Sequence, residues 1–166
     1  MLPLSNLVVR AASASVFAIG LCLTAPSAHA QSAPFSGFAG TWSGGGRIDL
    51  QNGTSERIRC RASYAVGGGG NTLQQQLRCA SDSYRFEVNS NVESRAGSLS
   101  GSWSEMTRNV SGQISGRAAA GRIQARVDAG VFAADLTVST NGNQQSVAIV
   151  PKGADIRIVA VTMRKS

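Results

Sequence analysis

Apolar and polar residues alternate along the chain from residue 39 to its end, in short runs that turn residues separate. Alternation with a period of two is typical of strands that bury one face. Asn52-Gly53, Asn141-Gly142 and four glycines at 67–70 are the clearest turn signals between these runs. The pattern predicts an all-β protein with ten strands, at 39–50, 55–66, 73–81, 84–92, 98–107, 110–117, 122–128, 131–139, 144–150 and 155–164.

Two cysteines fix the register of one hairpin. Cys60 and Cys79 are equally far from the centre of the 67–70 glycine run, so a hairpin folded there sets them opposite each other. The same register places Ala62 opposite Leu77, which keeps the apolar residues of both strands on one face. The sequence therefore predicts a cross-strand disulfide between Cys60 and Cys79.

The last predicted strand indicates how the meander ends. Residues 155–164 are apolar on both faces, which suits a strand covered by neighbours better than an exposed sheet edge. Antiparallel pairing with the first strand sets Leu50 beside Ile156 and Trp42 beside Arg164. The predicted fold is a single antiparallel up-and-down meander closing into a β-barrel of about ten strands. A two-sheet sandwich is the alternative.

The first thirty residues predict an export signal. Arg10 precedes a small, apolar stretch, and Ala28-His29-Ala30 is an A-x-A cleavage pattern. Residues 1–30 are therefore expected to be a cleaved signal peptide, and we expect the chain in the bacterial periplasm or outside the cell. We expect 31–37 to be a flexible N-terminal arm and 38–166 to be the barrel domain, with no transmembrane segment in the mature chain.

Composition restricts the chemistry. The single histidine is His29, inside the predicted signal, and two cysteines remain beyond it as the predicted disulfide. A mature chain of this kind has no Ser-His-Asp triad, no Cys-His pair and no histidine-based metal site. The sequence therefore predicts a non-enzymatic protein without metal or cofactor.

The start of the first strand resembles a known group of barrels. Phe38-Ala39-Gly40-Thr41-Trp42, with an arginine late in the last strand, is similar to the calycin-type barrels: lipocalins, fatty-acid-binding proteins, avidins and nitrobindin-like haem barrels. The resemblance implies that Trp42 closes one end of the barrel and that Arg164 packs over it. Haem barrels of the nitrobindin kind hold iron through histidine, which the predicted mature chain lacks.

The interior is the first candidate site. Residue parity turns several glycines inward, which implies either sharp coiling of the strands or free space. An aromatic interior with a few polar groups describes a small-molecule pocket, and an interior packed shut is the alternative. For Glu105, the alternative to an inward ligand anchor is a solvated position at the rim. The candidate lining residues are Trp42, Tyr64, Gln75, Phe86, Trp103, Glu105 and Phe132.

The outer face of strands 1–3 is the second candidate. Lysine and arginine outnumber the acids 16 to 9, giving a formal net charge of +7, and five arginines share this face. Guanidinium groups bind phosphate and carboxylate well, whereas no outward aromatics interleave them, so nucleic acid is not expected. A solvated cationic face is the alternative. The arginines are Arg47, Arg57, Arg59, Arg61 and Arg78.

Three functions follow from these features. The first is an exported barrel that binds a small apolar or anionic ligand in its interior. The second is a periplasmic interaction protein, similar to barrel-shaped protease inhibitors, that uses residues 31–37 to reach its target. The third is an envelope-associated protein that binds an anionic glycolipid or an envelope protein through its arginine face.

Overall fold

The computed structural model describes residues 33–166. The predicted signal peptide and the first two residues of the predicted arm lie outside the described residues. The described chain forms ten strands: β1 Gly40–Leu50, β2 Ser55–Gly67, β3 Thr72–Ala80, β4 Arg85–Arg95, β5 Ser98–Glu105, β6 Val110–Ala119, β7 Arg122–Asp128, β8 Ala133–Asn141, β9 Gln144–Lys152 and β10 Ile156–Lys165.

The ten strands form a closed antiparallel barrel. Each strand pairs with its neighbours in sequence, and β1 pairs with both β2 and β10. The predicted up-and-down barrel is therefore confirmed, and the two-sheet sandwich is excluded. Closure satisfies the backbone groups that the edges of an open meander would expose.

Alternation explains why these segments are strands. In β2, Ile58, Cys60, Ala62 and Tyr64 are buried, while the arginines between them are exposed. The β2–β3 connection is a short turn of glycines in which Gly69 has a φ of 64°, a backbone conformation that side chains with a Cβ disfavour. Each strand of this hairpin thus sends one face inward.

The disulfide and its register agree with the prediction. Cys60 and Cys79 are direct partners on β2 and β3 and are joined by a disulfide bond. The neighbouring β3–β4 pairing sets Arg78 opposite Glu87, where the two side chains form an ion pair at 2.7 Å. The pairings of β2 with β3 and of β3 with β4 thus extend the same alternation of inward and outward residues across three strands.

The closing pair of strands contains an irregularity that the sequence does not predict. Leu50 pairs with Ile156, as expected, but Asp49 pairs with Ile158, so β10 carries one extra residue at this point. A bulge of this kind turns the rest of the strand over, because side chains alternate between faces. As a result Val159, Val161 and Met163 point inward and are buried.

Two hairpins are paired two residues away from the expected register. The sequence favours Trp42 opposite Tyr64, whereas Trp42 pairs with Ala62 because the β1–β2 turn takes in two more residues. Val127 likewise pairs with Ala134 rather than with Phe132. A shift of two residues leaves every side chain on its expected face.

The inward glycines mark close contacts between strands. A Cβ built at Gly46 would overlap the carbonyl oxygen of Ala160 on β10, and one at Gly112 would overlap that of Asp128 on β7. Gly44, Gly101 and Gly116 have the same relation to a neighbouring strand. Of the two interpretations, the structure favours sharp coiling, since these glycines let the backbones approach rather than line free space.

A candidate ligand site inside the barrel

One end of the barrel is closed by the segment that precedes β1. Phe35 and Phe38 are almost fully buried, and their rings meet edge to face at 5.9 Å. The Phe35 N–H donates to the Gly70 carbonyl at 3.1 Å, and the Pro34 carbonyl accepts from the Gly121 N–H at 3.0 Å. Residues 33–37, expected to be a flexible arm, therefore lie packed against the barrel.

This packing bears on the protease-inhibitor hypothesis. That hypothesis uses residues 31–37 as a projecting arm that enters a target. The buried Phe35 ring and its backbone hydrogen bond instead anchor residues 33–37 at the barrel end. No described feature supports an inhibitory arm.

Trp42 lies at the same closed end. Its side chain is fully buried, and its indole N–H donates to the Phe38 carbonyl at 2.7 Å. The resemblance implied that Arg164 packs over this ring, but Lys165 is the strand partner of Trp42, with its ammonium 5.7 Å from the ring centroid. Arg164 points outward opposite Ser43, because the bulge in the β1–β10 pairing shifts the expected register by one residue.

Tyr64 also belongs to the closed end. Its hydroxyl donates to Gln145 Oε1 at 2.9 Å, and Gln145 Nε2 donates to Thr140 Oγ1 at 3.0 Å. Burial raises the pKa of the Tyr64 phenol, with the Gln145 hydrogen bond opposing the shift, so the group stays neutral. Gln145 is not among the interior residues that the sequence suggests, although it has the same parity on β9 as the inward residues Val147 and Ile149.

The opposite end of the barrel is open. Inward apolar side chains near this end are only partly buried, and so are some near the middle of the strands, including Leu77, Leu136 and Val147. Inward residues of a filled barrel would be fully buried. Solvent-accessible space therefore extends from this end into the interior. The partly buried apolar residues nearest the opening are Leu50, Phe86, Val88, Val110, Val127, Phe132, Ile149 and Ile156.

Aromatic side chains gather on one side of this opening. Trp103 and Phe132 meet at an angle with their ring centroids 6.0 Å apart. Tyr84 and Phe86 are stacked at 6.1 Å, and the Arg108 guanidinium lies 5.1 Å from the Phe86 centroid. The interior residues suggested by the sequence thus divide in two: Phe86, Trp103 and Phe132 are at the open half, whereas Trp42 and Tyr64 pack the closed end.

Trp103 carries an unsatisfied polar group. The side chain is 8% exposed, and its indole N–H has no hydrogen-bond acceptor; it is the one such buried side-chain atom in residues 33–166. A buried donor without an acceptor costs about 1–3 kcal/mol. An acceptor supplied by a bound molecule would remove that cost.

Gln75 supplies a second polar group on the inner wall. It lies near mid-strand and is only partly buried, and its Oε1 accepts a hydrogen bond from the Ser90 hydroxyl at 3.0 Å. Ser90 on β4 is the strand partner of Gln75 on β3 and of Trp103 on β5, so the two polar positions lie on either side of β4. Their amide and indole groups are the polar contacts that this part of the wall offers.

Glu105 is at the open rim, but its carboxylate is committed to the protein. It is 6% exposed and accepts hydrogen bonds from the Glu87, Thr107 and Arg108 backbone N–H groups and from the Thr107 hydroxyl, at 2.6–3.1 Å. Burial raises the pKa of Glu105, but the hydrogen bonds lower it by a larger amount, so that the resulting pKa is about 2. Glu105 is thus neither a solvated carboxylate nor a neutral buried one: it stays ionised and holds the β5–β6 turn.

The arginine face is placed as the sequence predicts. All five arginines are exposed on the outer surface of β1–β3. Arg47 pairs with Asp49 at 3.1 Å and Arg78 with Glu87, whereas Arg57, Arg59 and Arg61 have no ion pair within residues 33–166. Two like-charged pairs are direct strand partners: Arg47 with Arg57, and Arg61 with Arg78.

Residues 33–166 bring no three histidine, cysteine, aspartate or glutamate side chains together as a set of metal ligands. They also contain no helix with the length and apolar character needed to cross a membrane.

Known proteins that are similar to this chain support the assignment of its fold. No family model matches the chain, and no curated protein matches it. Among solved structures, the chain is similar to the S-type phycobiliprotein lyase CPES from Guillardia theta, with a TM-score of 0.57 and 8% sequence identity, over 80% of this chain and 90% of that one. With the closed ten-stranded barrel, this likeness confirms the calycin-type fold suggested by the Gly40-Thr41-Trp42 motif.

The comparison also corrects one prediction. The sequence predicts a non-enzymatic protein, but the similar structure is a lyase, which is an enzyme. A barrel of this fold is therefore no ground for excluding catalysis. Within residues 33–166, the absence of histidine and of a free thiol excludes only the sites that depend on those groups.

Proposed function

We propose that this protein is an exported barrel that binds a small, largely apolar molecule in its interior. The molecule would pass through the open end and lie against Phe86, Trp103 and Phe132. The proposal concerns the binding step, which a carrier and an enzyme of this fold would share.

The unsatisfied indole N–H of Trp103 carries the proposal. The side chain is buried beside partly exposed apolar residues, and no described group accepts its hydrogen. Small-molecule sites combine an apolar wall with a few polar groups that orient the ligand. The expected ligand therefore has an apolar body and one acceptor oxygen, such as a carbonyl or a hydroxyl.

Two observations support export. Residues 1–30 have the pattern of a secretory signal. The Cys60–Cys79 disulfide is of the kind that persists in oxidising compartments. Expression of the full chain in a bacterial host, followed by fractionation and N-terminal sequencing, tests this part: the product should be periplasmic and should begin at Gln31.

Tryptophan fluorescence tests the binding. The chain has two tryptophans, so Trp42→Phe leaves Trp103 as the only reporter of the interior, and Trp103→Phe leaves Trp42 at the closed end. Fatty acids, quinones and porphyrins serve as the ligand panel. A bound ligand should change the emission of Trp103, and Trp103→Phe should weaken binding about tenfold, the effect of losing one hydrogen bond.

A second measurement covers variants that fold poorly. Displacement of an environment-sensitive apolar dye from the unaltered protein reports binding without a substitution. If no member of the panel changes the emission of Trp103 or displaces the dye, the proposed interior site is wrong.

A further inference from the structure

A groove of about 840 Å³ crosses the outer surface of the barrel, on the side where β1 and β10 close the sheet. Its floor follows the strand pairing: Ser139 is opposite Ser146, Ser146 opposite Thr162, and Thr162 opposite Gly45. These side chains point away from the interior and are small. The groove is thus separate from the interior site and exists because the floor residues lack bulk.

The floor is rich in hydroxyl groups, and both of its ends are basic. The row of strand partners that begins at Ser139 continues on one side to Arg122, and beyond Gly45 it continues to Arg59. With neighbouring strands about 4.8 Å apart, these arginines are about 24 Å apart along the sheet. One small anion cannot reach both, whereas a chain carrying several acidic groups can.

The β1–β2 end of the groove has a surplus of positive charge, although the Glu56 carboxylate also lines it. Arg47 and Arg57 line the groove and are direct strand partners, an arrangement that like charges make unfavourable. Asp49, which pairs with Arg47, also pairs with Arg157. Arg57 has no ion pair within the described chain. An anion between these guanidinium groups would relieve their repulsion and accept charge-assisted hydrogen bonds.

The geometry points against the other common polyanions. An acidic peptide bound as an added strand needs a free sheet edge, and the closed barrel has none here. Single-stranded nucleic acid needs aromatic side chains for stacking, and none lines the groove. A membrane surface is too flat to enter a groove. Sugar hydroxyls, in contrast, pair readily with serine and threonine hydroxyls.

We propose that this groove binds a linear polysaccharide that carries acidic groups. The sugar rings would lie on the hydroxyl floor, and the acidic groups would bind Arg57 and Arg59 at the β1–β2 end and Arg122 at the other end. The proposal is independent of the ligand in the interior.

The test uses the mature chain, residues 31–166, and a hexasaccharide of galacturonic acid, with neutral maltohexaose and polyglutamate for comparison. Binding is measured by calorimetry at physiological ionic strength. The acidic hexasaccharide should bind and maltohexaose should not. Polyglutamate that binds as tightly as the acidic hexasaccharide would overturn the proposal, because the groove would then recognise charge without a sugar.

Three variants separate a site from a merely cationic surface. Arg57→Gln should weaken binding about tenfold, whereas Arg85→Gln, which removes an exposed arginine of β4, away from the groove and with no ion pair in the described chain, should change it less than twofold. Ser146→Tyr fills the exposed floor at unchanged net charge and should also weaken binding at least tenfold. Equal losses for the two arginine variants, or wild-type binding by Ser146→Tyr, would overturn the proposal.

Discussion

The Asp49 carboxylate and the Arg157 guanidinium meet at 3.1 Å across the bulge that closes the barrel. Asp49 is only 5% exposed, and it also accepts hydrogen bonds from the Ser55 hydroxyl at 2.7 Å and from Arg47 at 3.1 Å. The Ser55 hydrogen bond and the two arginines lower the pKa of this carboxyl group although burial opposes them. One side chain therefore links β1, β2 and β10 at the point where the register changes.

Replacing Asp49 by alanine should weaken this junction. The urea midpoint of unfolding should fall, and amide hydrogens of β1 and β10 should exchange faster than those of β5 and β6. Asp82→Ala is the control, since Asp82 is exposed and has no ion pair in residues 33–166. If the two variants unfold at the same urea concentration, Asp49 does not stabilise the closure.

Glu105 should make the stability of the protein depend on pH. In the folded chain its pKa is about 2, whereas in the unfolded chain the group titrates near its ordinary value of 4.5. Because the folded pKa is the lower one, the contribution is complete above about pH 4.5 and is lost as the pH falls towards about 2. Glu105→Gln should therefore cost about 2 kcal/mol of unfolding free energy at pH 7.

Urea titrations at a series of pH values provide the check. The difference between the wild type and Glu105→Gln should shrink steadily below pH 4.5. A difference that stays constant down to pH 2.5 would mean that the ionised carboxylate is not what stabilises the β5–β6 turn.

Gly46 should not tolerate a side chain. A Cβ there would overlap the Ala160 carbonyl oxygen, so Gly46→Ala has to push β1 away from β10. We expect a loss of about 3 kcal/mol, at the upper end of the range for overpacking. Gly45→Ala is the matched control, because its Cβ would point outward, 3.0 Å from the Ile58 carbonyl oxygen, and should cost less. Thermal unfolding of the two variants measures the difference; similar melting temperatures would argue against the close approach.

Phe35 should contribute to stability as a core residue does. The ring is fully buried, and truncation of a buried phenylalanine typically costs 3–5 kcal/mol. Phe35→Ala should therefore lower the melting temperature markedly, whereas Ser36→Ala, at an exposed neighbour, should not. An unchanged melting temperature for Phe35→Ala would restore the interpretation of residues 31–37 as a free arm.

Much of the fold could be predicted because the relevant signals are local. The Cys60–Cys79 pairing follows from the symmetry of one hairpin, and the strand boundaries follow from alternation and turn residues. The candidate site was harder to predict. Residue parity places Trp103, Phe86 and Phe132 on the inward face, but it gives the face of a strand and not the height along the barrel, so it groups Trp42 and Tyr64 with them.

The pattern of side chains along the chain is sufficient to predict that ten alternating segments pair in order, that one disulfide joins two of them, and that aromatic residues face inward. Those properties depend on side-chain periodicity and on neighbours in the chain. The folded barrel was needed to show which of its ends is closed, that Lys165 rather than Arg164 lies over Trp42, and that the inward glycines bring strands together. Each of these depends on contacts between elements and not on the pattern within one strand. The position of Lys165 follows from the extra residue of β10 where it pairs with β1, the closed end from the buried Phe35 and Phe38, and the glycine contacts from several strand pairs.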